Sequence, residues 1–357
     1  MKTILIIGIL ALLLSACVQV EQPVEKFKIG VISPMTGSQA VYGGWTQKGG
    51  SLALENLDNV ELIYEDSKCD PKEGLSAFNK LADADDVKAI VSTDCSSPAV
   101  AYATAGNERG ILVLVSGSVV PAIADIGDYV FRVRYTAEDD AATIMKLAAE
   151  NSWKKPAIIY QETDGGISYL KELEKRMPVS FVAKESYVLT STDYRTELTK
   201  IKNANPDVLL VFTQGDLGST MLRQIKEVGI TVPLVSSGTN FPPKIVEASG
   251  DAAEGLYATF AMFDTGGYDK GDEFKNSYKS KFGEEPNYFI ATTYDAINIV
   301  ANAAKECGND IGCMRQSIAQ IKNYSGLSST ITFDERGELV GTKMGIKQVK
   351  DGKFMIV

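Results

Sequence analysis

From residue 28 onward, short β-branched runs alternate with longer stretches whose apolar positions recur at helical spacing. Residues 28–33 read as a strand and 44–57 as a helix. Residues 60–66 form a strand ending in acids, and 71–81 a helix that Pro71 is placed to start. Strands at 88–93 and 111–115 flank a helix at 98–109. The rhythm then restarts. Strands at 156–160, 181–187, 208–212 and 233–235 alternate with helices at 167–176, 193–203 and 217–228, and Asp193 suits the cap of the second helix. Three helical segments follow, at 274–282, 288–305 and 311–321. The chain closes on β-rich pieces at 329–333, 347–350 and 353–357. Such alternation predicts α/β architecture: two doubly wound parallel sheets with helices on both faces.

The N-terminus departs from this rhythm. Met1-Lys2 precedes an uncharged run from Ile4 to Leu14, far short of the roughly 20 residues a membrane-spanning helix needs. A basic start, a short apolar core and small residues after it describe a signal peptide. It ends Leu14-Ser15-Ala16-Cys17, which resembles the lipobox of prokaryotic lipoproteins, whose Cys is lipidated. Residues 1–17 are therefore expected to be a lipoprotein signal peptide with lipidation at Cys17, and 18–26 a tether. About 330 residues remain, more than one core comfortably holds, so two domains are expected.

Composition narrows the function. A net charge of −10 argues against a nucleic-acid partner. Histidine is absent, which excludes Ser-His and Cys-His nucleophilic sites and removes the commonest metal ligand. No metal, no cofactor and no catalytic residue is expected. Besides Cys17 there are four cysteines, an even number that suits two disulfides in an exported protein. The short spacing of Cys307 and Cys313 lets a loop join them, leaving Cys69 to pair with Cys95.

Ligands of open parallel sheets bind at the carboxyl ends of the strands. Those edges carry small and polar residues, among them 34–42, 67–70, 94–97, 116–119, 161–166, 213–216 and 236–240. Ser96-Ser97-Pro98 is the sharpest of them. Ser97 suits a helix cap and Pro98 the first helical position, with backbone N–H groups free to meet an anion.

Several segments occur together in a recognisable order: Lys28-Ile-Gly-Val-Ile-Ser-Pro-Met-Thr-Gly37 with Tyr42-Gly43, Cys69-Asp-Pro-Lys-Glu, Asp94-Cys-Ser-Ser97, Asp193-Tyr194, Gly229, Ala253-Glu-Gly255, Thr293-Tyr-Asp-Ala296 and Phe333-Asp-Glu-Arg-Gly337. Over 27–350 the chain resembles the type I periplasmic binding proteins, on their leucine/isoleucine/valine-binding branch. The resemblance also implies the Cys69–Cys95 bond. It implies discontinuous lobes, 27–136 with 264–328 and 137–263 with 329–357, joined by a three-strand hinge.

It further implies that Ser96 holds a ligand carboxylate, that Gly117, Ser118 and Val119 offer backbone groups, and that Tyr42 packs on the ligand. The family's ammonium-binding acid aligns with Ser237, followed by Gly238. Aromatic positions align with Gln214 and with Asp164 or Gly165. An ammonium buried without a counter-charge is costly. Either Asp164 or Asp216 replaces the acid, or the ligand has no ammonium. Asp295, by contrast, reads as structural. The expected function is an exported solute-binding lipoprotein on the outer face of the cytoplasmic membrane or in the periplasm, serving an ABC permease and its ATPase and capturing an amino acid, amide or carboxylate. The competing readings are a sensory receptor module and, disfavoured by the absent histidine, a surface enzyme.

Overall fold

The computed structural model describes residues 26–215, 217–262 and 271–357. The expected signal peptide, Cys17, nearly all of the tether and Asp216 lie outside the described residues.

Strands β1 (Phe27–Ser33), β2 (Val60–Asp66), β3 (Ala89–Ser92), β4 (Leu112–Val115) and β5 (Val130–Arg132) form one sheet, ordered β2-β1-β3-β4-β5. Every pairing in it is parallel. Helices α1 (Ala40–Ala53), α2 (Pro71–Asn79) and α3 (Ser96–Arg109) connect its strands. After α4 (Ala137–Glu150) the pattern repeats through β6 (Pro156–Gln161), α5 (Asp164–Arg176), β7 (Ala183–Tyr187), α6 (Arg195–Asn203), β8 (Val208–Phe212), α7 (Leu217–Val228), β9 (Leu234–Ser237), α8 (Pro243–Ser249) and β10 (Tyr257–Ala261). The C-terminal third adds helices α9 (Gly271–Phe282), α10 (Tyr288–Cys307) and α11 (Ile311–Ala319). It also adds a small β11 (Tyr324–Ser325) and β12 (Thr330–Ile331) ladder, then β13 (Met344–Lys350) and β14 (Lys353–Ile356). The second sheet runs β14-β13-β10-β9-β8-β6-β7, and β13 and β14 pair antiparallel at its edge.

Both central sheets are apolar on both faces because helices cover both faces. In the first, β3 and β4 are wholly buried. Ile29, Leu112 and Leu114 pack on one side with Ile297, Val300 and Met314 of α10 and α11, while Ile90 and Val113 pack on the other with Phe78 and Tyr102 of α2 and α3. In the second, Ile159 and Val211 meet Leu198 and Leu222 of α6 and α7, while Ile158 and Leu210 meet Ile144 and Leu173 of α4 and α5. Each fully buried aliphatic side chain contributes roughly 1.5–3 kcal/mol.

The chain leaves the first core after Val133 and enters the second at Ala137, so residues 134–136 form a crossing. The last crossing comes later than the sequence suggests. Ile331, Phe333 and Leu339 pack in the first core, and Arg132 ties the same segment down by donating Nε–H to Glu338 Oε2 at 2.9 Å. Residues 340–343 then lead into β13. Asp295 accepts the backbone N–H groups of Leu327 and Ser328, each at 2.7 Å, which is a structural role. Both disulfides are present, Cys69–Cys95 and Cys307–Cys313.

Several elements were hidden in the sequence, three of them instructive. β5 is three residues long and carries a buried arginine. Helix α4 is alanine-rich, although its Thr136/Asp139 capping box was a readable start signal. Helix α8 spans only seven residues.

Candidate functional site

At the carboxyl end of β3 the chain turns directly into α3. The sequence suggested Ser97 as cap and Pro98 as first helical residue. The helix instead begins at Ser96, with Cys95 flanking it. Asp94 sets this geometry: its Oδ1 accepts the Cys95 N–H at 2.7 Å and the Ser67 hydroxyl at 2.8 Å. Cys95, held by its disulfide, then accepts Ala99 N–H at 3.1 Å through its carbonyl, so the chain winds two residues sooner. Pro98 is tolerated there because first-turn N–H groups lack intrahelical partners anyway. Ser96 is buried; Ser97 is half-buried and lies outside the cavity lining.

A cavity of about 430 Å³ sits beside Ser96, between the two sheets. From the first half it is lined by Tyr42, Asp94, Ser96, Gly117, Val119 and Phe289, and from the second by Tyr169, Gln214, Thr239 and Asn240. Ser118 stands just behind, donating its hydroxyl to Ser96 Oγ at 3.1 Å. Gly117 cannot be larger, since a Cβ there would overlap the Asp94 backbone. The halves touch across the cavity. Gly215 N–H donates to the Tyr42 hydroxyl at 3.3 Å, and a Cβ on Gly165 would stand 3.3 Å from both Ser96 Oγ and Gln214 Nε2.

Tyr42, Ser96, Gly117, Val119 and Gln214 are thus brought together, with Ser118 adjoining. Ser237 and Gly238 are not on this lining. Ser237 is buried, its hydroxyl 3.3 Å from that of Tyr135 and 3.0 Å from that of Thr239. Gly238 lines a neighbouring pocket of about 1080 Å³ with Trp45, Phe260 and Tyr288. Asp164 is exposed at the start of α5, whose cap is Thr163, and it does not reach the cavity.

Sequence reasoning did not single out Arg134, Tyr169, Thr239, Asn240 or Phe289. Thr239 and Asn240 fall in the 236–240 edge, so the edge rule pointed at them. Arg134 follows a strand too short to read. Tyr169 and Phe289 look like ordinary core aromatics on helices.

Charge in the cavity comes from two residues. Asp94 is buried, and burial pushes its carboxyl up to about 7 despite the Ser67, Cys95 and Tyr102 donors. Arg134, 1% exposed, donates Nη1–H to the Gly117 carbonyl and Nε–H to that of Tyr135 at 3.3 Å. Its Nη2 has no hydrogen-bond partner among the described residues. Behind the lining, Asp140 accepts the Tyr169 hydroxyl at 2.9 Å and the Thr259 hydroxyl; burial pushes it up to about 6. Gln214 Oε1 and Asn240 Oδ1 are buried without partners, as are both amide atoms of Gln161 in a small adjoining pocket. The site can therefore hold a small molecule by one cation, several amides and hydroxyls, and three aromatic rings.

Residues 26–353 match the family model described as periplasmic binding protein. A Leu/Ile/Val-binding protein homolog from Brucella abortus is 24% identical over 329 residues, covering 87% of this chain and 86% of its own. A leucine-, isoleucine-, valine-, threonine- and alanine-binding protein from Pseudomonas aeruginosa is 23% identical over 332 residues, 88% of this chain and 87% of its own. Among solved structures, the isoleucine complex of a branched-chain amino acid transporter substrate-binding protein from Streptococcus pneumoniae superposes with a TM-score of 0.85 at 24% identity, covering 92% of this chain and 98% of that one. A Rhodopseudomonas palustris solute-binding protein in complex with benzoate gives a TM-score of 0.86 at 16% identity, covering 93% and 96%. With two wound sheets, a cavity at their carboxyl edges and a family match over nearly all its described length, the chain belongs to the periplasmic binding protein family, on the branch of the leucine/isoleucine/valine-binding proteins.

Proposed function

We propose that this protein is the solute-capturing component of an ABC importer, exported, lipidated at Cys17 and held to the membrane by that lipid alone. Its two sheet units act as lobes, 27–136 with the C-terminal helices and 137–262 with β13 and β14. They rotate about the three crossings and close on a small polar solute. The closed form is then presented to a permease and its ATPase. The observation that carries this reading is the small cavity whose walls come from both units and meet through the Gly215–Tyr42 contact. Ser96, Gly117, Ser118, Val119 and Tyr42 hold the solute from the first lobe and Gln214 from the second. Relatives of this fold are described in complex with isoleucine and with benzoate. The overall shape thus supports amino acids and simple carboxylates alike, and the residues inside the cavity decide between them.

Thermal shift against a panel of amino acids, amides and carboxylates tests the reading. A solute at 100 times its dissociation constant adds about 2.7 kcal/mol to the native state, an upward shift of several degrees. A flat response to the whole panel would sink the proposal. Lipidation is tested separately: Cys17→Ala should release the protein from membranes into the soluble fraction.

A further inference from the structure

We infer that the solute is a carboxylate without a charged amine, and that Arg134 Nη2 is its anchor. This rests on the solute-binding reading above and names the chemical class of its ligand.

Arg134 lies on the first crossing between the two units, where the sheet-edge rule did not point. A buried guanidinium normally satisfies its N–H groups, and leaving charged donors unmet is expensive. Here Nη1 and Nε are spent on the carbonyls of Gly117 and Tyr135, while Nη2 stays unpartnered on a residue that lines the cavity. No carboxylate stands within ion-pair distance of Arg134 among the described residues. The fork is also held rigidly, with its central carbon 4.9 Å from the Tyr135 ring centre and 5.1 Å from that of Phe289. A fixed planar donor on a cavity-lining residue suits a carboxylate, which it can pair without first being reorganised.

The described lining also lacks an acid free to pair with an ammonium. An α-ammonium needs an acid with free oxygens. Asp94 is the acidic residue among the described lining. Its Oδ1 already takes the Ser67 hydroxyl and the Cys95 N–H, and Tyr102 points its hydroxyl at Oδ2 from 3.4 Å. Asp140 stands behind Tyr169 and Thr259 with both oxygens engaged, and Asp164 faces solvent. The position where an acid was expected, Ser237, is a hydroxyl turned toward Tyr135 and Thr239. Among the described residues, the polar groups left over are a cation and neutral amides. A carboxylate matches them, whereas a zwitterion would bury its positive end beside Arg134.

Isothermal titration of the purified protein with two matched sets tests this: 4-methylpentanoate, leucine and 4-methylpentanamide, then 3-phenylpropanoate, phenylalanine and 3-phenylpropanamide. The acids should bind at least tenfold tighter than the amino acids and the amides. Arg134→Gln should weaken the acids about 100-fold, and Arg134→Lys, which keeps the charge but not the fork, by less. If Arg134→Gln does not fold, the matched sets on the unaltered protein still decide. An amino acid or amide that binds as tightly as its acid overturns the inference and leaves the solute-binding reading standing. So does an Arg134→Gln protein that folds and binds the acids within threefold of the parent. A protein that binds none of the six loses both.

Discussion

Gly215 is where closure is most open to a single-atom perturbation. It occupies the left-handed region at φ +61° and lies against the loop that enters α1 on the opposite unit. A Cβ there would overlap Gln39 Oε1 and stand 2.8 Å from the Ser38 carbonyl oxygen. Gln39 is the end of a flexible side chain and can swing away, but the Ser38 carbonyl is backbone. Gly215→Ala therefore carries two costs. Left-handed alanine costs about 1 kcal/mol in open and closed forms alike. The clash exists only when the units are together, and inserting a methyl into a packed contact costs about 1–3 kcal/mol. Only the second term separates the two forms, so solute affinity should fall about 5- to 150-fold while stability without solute falls by about 1 kcal/mol. Gly110 supplies the control. Its φ is +65°, but a Cβ would meet only the Tyr129 ring at 3.8 Å, well away from the cavity. Gly110→Ala should lose similar stability and no affinity. Titration calorimetry measures the affinities, and small-angle scattering shows whether saturating solute still compacts the protein. Unchanged affinity in Gly215→Ala would refute the closure argument, because the contact would then be absent from the bound state.

Three further outcomes are expected. Asp94 and Asp140 hold their protons to about 7 and about 6 in the native state, against about 4 when unfolded. Their stabilising effect is thus fully present below pH 4 and is lost as pH rises through 6 to 7, at roughly 1 kcal/mol per pH unit for each group. The stability of the parent relative to Asp94→Asn should therefore decline from pH 5 to pH 8 in denaturant titrations; a flat difference would mean Asp94 ionises normally. Glu338→Ala strands the buried Arg132 guanidinium and should cost about 3–5 kcal/mol by the same assay; a cost below 1 kcal/mol would show that solvent reaches Arg132. Replacing Cys69 and Cys95 together with Ser removes a link across 26 residues, worth about 3–4 kcal/mol in the chain-entropy model. Because that link also fixes the start of α3, affinity should fall with it, and calorimetry that shows stability lost but affinity kept would detach the disulfide from the site.

The frame of the molecule was legible because each rule needed only local information. Apolar runs gave the central strands, post-strand edges pointed at the segments that carry Ser96, Gly117 and Gln214, and spacing gave the Cys307–Cys313 disulfide, leaving Cys69–Cys95 by elimination. Where the reading slipped, the deciding contact came from far along the chain. The start of α3 was misplaced by two residues because Asp94 and the Cys69 bond, not Ser97, shape its first turn. The last crossing was set too early because Ile331, Phe333 and Leu339 return to a core begun 300 residues before, a choice that Arg132 and Glu338 reinforce and no local pattern encodes. Arg134 was invisible for a related reason. A charged residue two places after a buried arginine looks like a solvated loop, and only the meeting of two sheets turns it into a buried cation on the cavity lining. The same meeting moved Ser237 off the cavity, because its hydroxyl is paired by Tyr135 from the crossing. Alignment to relatives had placed an acid's role at Ser237 and left the charge balance open; the fold shifts the charged position to the crossing and reverses its sign. On the proposal that Arg134 anchors the solute, ligand class is carried partly by the crossing between the sheets, where sequence patterns are least informative.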